Sequence, residues 1–176
     1  MSNLKISPTG LQLIKHYESI HDGNLSKIGL QPKTCPAGIW TIGYGHAVTN
    51  ENGAFLRGEA GYKKLIQLYP HWETMTIKEA EDLLDVDIIK FERQVNKDLK
   101  ISISQNQFDA LVSHTFNTGG SDNLFALING NSPFQMILDW FTNHYITANG
   151  IPSKGLKFRR QSEAVLFQTG ELKFFN

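Results

Sequence analysis

Cysteine is nearly absent: Cys35 is the only one among 176 residues. No intramolecular disulfide can form, and the chain suits a reducing compartment. Neither sign of charge is in excess, because 17 basic residues balance 17 acidic ones. That leaves no electrostatic footprint for nucleic acid or an anionic surface, and little long-range steering. No apolar run approaches membrane-spanning length, so no membrane anchor is expected. The start, Met1-Ser2-Asn3-Leu4-Lys5-Ile6-Ser7-Pro8, lacks the apolar core of a secretion signal. These absences predict a protein made and held in a cytoplasm. The histidines (His16, His21, His46, His71, His114 and His144) include no H-E-x-x-H or comparable ligand pair, which argues against a zinc amidase. There is no G-x-S-x-G, no phosphate loop, no internal repeat and no low-complexity segment. No metal or organic cofactor is expected.

What is present is ordinary for a folded globular chain: 40% apolar and 19% charged residues, with length enough to bury a real core. Ser7-Pro8 reads as a cap and first helical position, and Leu11, Leu13, Ile14 and Tyr17 form the stripe of a helix ending near Glu18. Ser19 to Thr34, rich in Gly, Asn, Asp and Lys, reads as loop or irregular hairpin. Asn50-Glu51-Asn52-Gly53 is a turn, and a short helix over 61–69 stops at Tyr69-Pro70. Thr76-Ile77-Lys78-Glu79 is a capping box opening a long helix, with Ala80, Leu83, Leu84, Ile88, Phe91 and Val95 on its apolar face. Ser104-Gln105-Asn106-Gln107 repeats that logic for a helix stopped by Gly119-Gly120. Ser132-Pro133 opens another, and the last runs from about Lys157 to Gln168 and ends at Gly170. The pattern predicts an α+β, predominantly helical protein. Residues 1–75 would form a small N-terminal α/β lobe with a β-sheet, and 76–176 a long connecting helix and a helical C-terminal lobe. Two lobes joined by one helix leave a cleft, where ligands bind.

The densest chemistry lies in Cys35-Pro36-Ala37-Gly38-Ile39-Trp40-Thr41-Ile42-Gly43-Tyr44-Gly45-His46, downstream of Glu18. As a strand it points Trp40, Ile42 and Tyr44 to one side and Ile39, Thr41 and Gly43 to the other. A hydroxyl set against an acid is what water-activating hydrolases need, and the glycines thin the strand so that a ligand or another backbone can approach.

Glu18 followed by C-P-A-G-I-W-T-I-G-Y-G-H, with six residues from Cys35 to Thr41, resembles the active-site signature of the phage-type lysozymes, the endolysin family of glycoside hydrolases. The family has Asp or Cys at the position of Cys35. Two further blocks extend the resemblance in the same order. Gln107 to Ser113 with Phe116-Asn117-Thr118-Gly119 is similar to the family's central helix and turn. Gly155-Leu156, Arg159-Arg160 and Glu163 to Phe167 are similar to its closing helix. The resemblance implies a two-lobed lysozyme-like fold and a muramidase that hydrolyses the β-1,4 bond between N-acetylmuramic acid and N-acetylglucosamine in bacterial peptidoglycan. It implies Glu18 as general acid, Thr41 as the group that holds the attacking water, and Cys35 as base, nucleophile or passive positioner. A plain buried thiol is the structural reading of Cys35. Asn117 and Ser113, on one side of the central helix, would line the glycan side.

Gly43-Tyr44-Gly45-His46 resembles a family turn whose histidine pairs with a carboxylate on the connecting helix, which implies a structural His46 paired with Asp87 and so tying the lobes. Arg159, Arg160 and Glu163 read as an ion-pair set at helical spacing. The 16 residues from Ser19 to Thr34 exceed the family's usual spacing and read as a tolerated surface loop, or as one that contacts substrate. A monomer is expected, with release to the wall through a membrane-lesion protein (a holin). The alternatives are a non-catalytic wall-binding or structural relative, a lytic transglycosylase, and a Cys/His peptidase built from Cys35 with His46 or His114.

Overall fold

The computed structural model describes residues 3–18, 20, 23, 27–35 and 37–176. Residues 19, 21, 22 and 24–26 of the Ser19 to Thr34 loop, and residue 36, lie outside them. The described elements, in order, are α1 (Pro8–Glu18), β1 (Lys33–Thr34), β2 (Trp40–Ile42), β3 (His46–Ala47), α2 (Gly58–Leu68), a 3-10 turn (Pro70–Thr74), α3 (Ile77–Asp98), α4 (Gln105–Thr118), α5 (Asp122–Asn129), α6 (Phe134–Asn143), β4 (Thr147–Ala148), β5 (Ile151–Pro152) and α7 (Lys154–Thr169). Helices predominate, and the strands form one antiparallel sheet, β1-β2-β3, and one separate hairpin, β4-β5.

The helix starts are set by side chains that satisfy orphan N–H groups. Thr76 and Glu79 close a reciprocal box, the Thr76 N–H donating to Glu79 Oε2 at 2.7 Å and the Glu79 N–H to Thr76 Oγ1 at 3.2 Å. Ser104 and Gln107 do the same for α4, which ends at Gly119 in the left-handed conformation. Ser153 starts α7 one turn earlier than expected, by accepting from the Leu156 N–H. Asn50 makes the expected turn by accepting the N–H groups of Asn52 and Ala54 on its side chain.

Two elements were not expected. Helix α5 begins at Ser121, whose hydroxyl accepts from the Leu124 N–H at 3.4 Å. The β4-β5 hairpin turns at Asn149-Gly150, both at positive φ (52° and 77°). The strand expected over residues 39–44 is shorter, with Ile39 and Gly43 at its margins.

Contacts gather the chain into two units, residues 1–17 with 88–176, and residues 18–87. The sequence-based boundary at residue 75 therefore shifts. Helix α1 packs with the C-terminal helices, and the first half of α3 packs with the strands. In the first unit, the Ser7 N–H donates to Asp109 Oδ1 at 2.9 Å and the Ser7 hydroxyl to Asp109 Oδ2. Helix α4 comes so close that a Cβ on Gly10 would sit 2.8 Å from the Asp109 Cβ. Leu13 and Ile14 are fully buried there, with Phe108, Phe141 and Phe167. The core of the second unit is built from Ile42, Val48, Leu65, Met75 and Leu84.

Candidate active site

Register brings the signature residues together. Strands β1 and β2 pair antiparallel with Lys33 opposite Thr41 and Thr34 opposite Trp40. The same register puts Cys35 opposite Ile39, and the Cys35 N–H donates to the Ile39 carbonyl at 2.9 Å. Side chains alternate along a strand, so Cys35, Ile39 and Thr41 share one face. Cys35 and Thr41 are then diagonal cross-strand neighbours, a relation that spans about 7–8 Å. The six-residue step thus has a structural cause: it is a hairpin turn plus one strand period. The Gly38 N–H closes that turn on the Cys35 carbonyl at 2.8 Å, and the Arg57 guanidinium braces it by donating to the Ala37 carbonyl.

Thr41 is buried, and its hydroxyl donates to the Lys33 carbonyl at 2.8 Å. The donor is committed, so toward a water molecule this oxygen acts as an acceptor. Cys35 is half-buried. Trp40, on the other face, donates from Nε1 to the Gly58 carbonyl at 2.7 Å and packs on Tyr62, and is scaffold.

Glu18 is half-buried at the last position of α1. Its carboxylate reaches the turn between β2 and β3: a Cβ on Gly45 would stand 3.3 Å from Glu18 Oε2. Gly45 also has φ +83°, where a side chain is strained. Gly45→Ala is therefore expected to cost about 1–2 kcal/mol and to displace the carboxylate. Activity should fall further than the folded fraction does, which assay and circular dichroism on the same sample would show.

His46 stands opposite Ile42, its Nδ1 2.8 Å from Asp87 Oδ2 and its ring edge-on to Trp72. The pair fastens β3 to α3 within residues 18–87. We expect Asp87→Asn to lower stability by roughly 1 kcal/mol, a drop of about 2–4 °C in Tm for a chain of this size. An unchanged melting curve would show that the contact carries no weight.

The helical unit corrects one expectation. Ser113 does not line any substrate face: it is fully buried and its hydroxyl donates to Glu163 Oε1 at 2.8 Å. Asn117, one turn on, is exposed, and its Oδ1 accepts from Arg160 at 3.0 Å. The expected set of Arg159, Arg160 and Glu163 is present and entirely buried. Glu163 Oε1 accepts from Arg159 Nε at 3.3 Å and Arg160 at 3.0 Å, and Oε2 lies 2.9 Å from Arg160 Nε. Burial would raise the Glu163 carboxyl, but Arg160, His114 and Arg159 together outweigh it and hold it down to about 2.

His114 is the member that sequence reasoning missed. Arg160 donates to its Nδ1 at 2.6 Å, and Trp140, Phe141 and Tyr145 stand edge-on around its ring. Burial first of all pushes its pKa down; Glu163 pulls it up, and Arg160 and Arg159 push it down. His114 sits in a stretch of α4 that is buried from Phe108 to Thr115, a depth that the sequence does not announce. A ring so enclosed has no exposed edge from which to act as a peptidase base. Among the described residues, no group of three or more His, Cys, Asp or Glu could hold a metal ion.

The fold and site together describe a mixed, mostly helical protein with a glutamate set at a strand turn whose neighbouring strands carry a thiol and a threonine. Known proteins share this fold. The family model for phage lysozyme matches residues 25–163, and the chain belongs to the phage lysozyme family. The match begins beyond Glu18, so that assignment rests on the geometry at Gly45. The chain is 32% identical to the endolysin of Bacillus phage PZA, over 97% of this chain and 57% of that protein. It thus spans little more than half of that relative. It is 29% identical to the endolysin of Acyrthosiphon pisum secondary endosymbiont phage 1, over 94% of this chain and 99% of the other. The muramidase domain of SpmX from Asticaccaulis excentricus superposes with a TM-score of 0.68 at 28% identity, over 94% of this chain and 98% of that one.

Proposed function

We propose that this protein is a muramidase that hydrolyses the β-1,4 bond between N-acetylmuramic acid and N-acetylglucosamine in bacterial peptidoglycan. One observation carries the reading: the Glu18 carboxylate stands at Gly45, in the turn that follows the strand bearing Thr41, and register puts Cys35 on the Thr41 face. Membership of the phage lysozyme family and similarity to proteins named endolysin and muramidase supply the reaction class.

In the reaction, protonated Glu18 gives its proton to the glycosidic oxygen as the bond from that oxygen to the anomeric carbon breaks. Water held on Thr41 forms the new bond to the anomeric carbon and loses a proton. Cys35 stands on the same face as Thr41, and as a thiolate it would take that proton. Release to the wall runs through a membrane lesion made by another protein, with the enzyme held in the cytoplasm until then.

Mass analysis of the products from purified peptidoglycan tests the reading. Hydrolysis adds one water to each cut and creates a reducing end. An anhydro sugar would instead identify a transglycosylase, and binding without cleavage a non-catalytic wall protein.

A further inference from the structure

Helix α1 loses its buried anchors before it reaches Glu18. Leu13 and Ile14 are fully buried, but the following turn is not. Helix ends fray unless something holds them, and a general acid misplaced by about 1 Å can lose on the order of 100-fold in rate.

Tyr17, the residue before Glu18, has its hydroxyl fully engaged. It lies 3.1 Å from the Phe158 carbonyl and 2.6 Å from Ser162 Oγ, both on α7, and accepts from the Phe175 N–H at 3.3 Å. The one phenolic proton has the Phe158 carbonyl, Ser162 Oγ and the Phe175 carbonyl at 3.4 Å within its reach, and the oxygen accepts from the Phe175 N–H. One turn of chain therefore meets both α7 and the segment that follows it. The same segment grips the neighbouring residue: Phe174 stacks on His16 with ring centroids 3.9 Å apart and planes 17° apart. The segment reaches this position because α7 stops at Gly170 in the left-handed conformation, and the Glu171 N–H then donates to Thr169 Oγ1 at 3.0 Å.

We propose that Tyr17 is a positioning residue for Glu18, and that the segment Glu171–Asn176 is the clamp that holds it, through Phe175 on the Tyr17 hydroxyl and Phe174 on His16. The clamp fixes the last turn of α1, and with it the backbone from which the Glu18 side chain projects. Its catalytic consequence rests on the reading of Glu18 as general acid; its structural part does not.

The test uses Tyr17→Phe, which removes only the hydroxyl, and Phe174→Ala, which removes only the stacked ring. Each is expected to lower kcat on peptidoglycan five- to tenfold, with KM changed less than twofold and Tm by only a few degrees. The double variant should lose less than the product of the two single losses, because both changes loosen one clamp. Amide hydrogen exchange at Tyr17 and Glu18 should quicken at least tenfold in each. A purely structural role would lower Tm and leave kcat of the folded protein unchanged. Unchanged exchange overturns the proposal, and so does faster exchange with unchanged kcat. If the wild-type protein has no turnover, the muramidase reading fails by itself, and exchange at Glu18 alone decides whether the clamp holds the helix end.

Discussion

Glu18→Gln is expected to remove nearly all turnover, a fall of on the order of 10²–10⁴-fold, the usual contribution of a positioned general acid. The replacement keeps the shape of the side chain and its place against Gly45, and removes only the transferable proton. The residue is half-buried at a helix end, not part of a packed core, so the fold should not pay for the change. Reducing-end release from purified peptidoglycan, with the melting curve of the same preparation, measures both effects. A glutamine variant that kept a tenth of the activity would remove Glu18 from the mechanism. Loss of activity with a matching loss of folded protein would assign it a structural role instead.

How far this site could be read in advance depends on what kind of interaction builds it. The six-residue step from Cys35 to Thr41 is local, since a hairpin's register follows from its turn, and it appears in the structure as the Lys33–Thr41 pairing. Helix starts are equally local: Thr76, Ser104 and Ser7 announce themselves through residues three or fewer positions away. Depth is not local. Ser113 and Asn117 lie one turn apart on α4, yet one is sealed under α7 and the other exposed, and nothing in the α4 sequence tells them apart. The same holds for α1, whose attachment to the C-terminal helices runs through Asp109, 102 residues beyond Ser7. Helix α5 escaped notice because eight residues dominated by Leu124, Phe125, Leu127 and Ile128 have no readable period. The β4-β5 arms are two residues each, too short for alternation, although Asn149-Gly150 is a hairpin signal.

The largest stability effect is expected at Glu163. Glu163→Ala leaves Arg159 and Arg160 buried without the carboxylate that Arg159 Nε and two nitrogens of Arg160 approach, and it strands the Ser113 hydroxyl. Removing one partner of a buried ion pair costs about 3–5 kcal/mol, a large share of the roughly 5–15 kcal/mol that holds a domain together. Glu163→Gln should cost less, because the amide oxygen still accepts while its charge is gone. The pH dependence separates charge from packing. The Glu163 carboxyl titrates near 4.5 in the unfolded chain and is held down to about 2 when folded. Its contribution is therefore complete above about 4.5 and is lost as pH falls from there through about 2. His114 acts in the same direction at higher pH. Its folded pKa is depressed below 6.5 by burial above all, so the unfolded chain takes up that proton first and stability declines as pH drops below about 6.5. Wild-type protein should thus lose stability in two acid stages, read as Tm against pH. Glu163→Gln should start lower at neutral pH and lack the stage between 4.5 and 2, so that the two curves converge in acid. Parallel curves would mean that the Glu163 charge is not what holds α7 to α4, and that the cost of the substitution is one of shape.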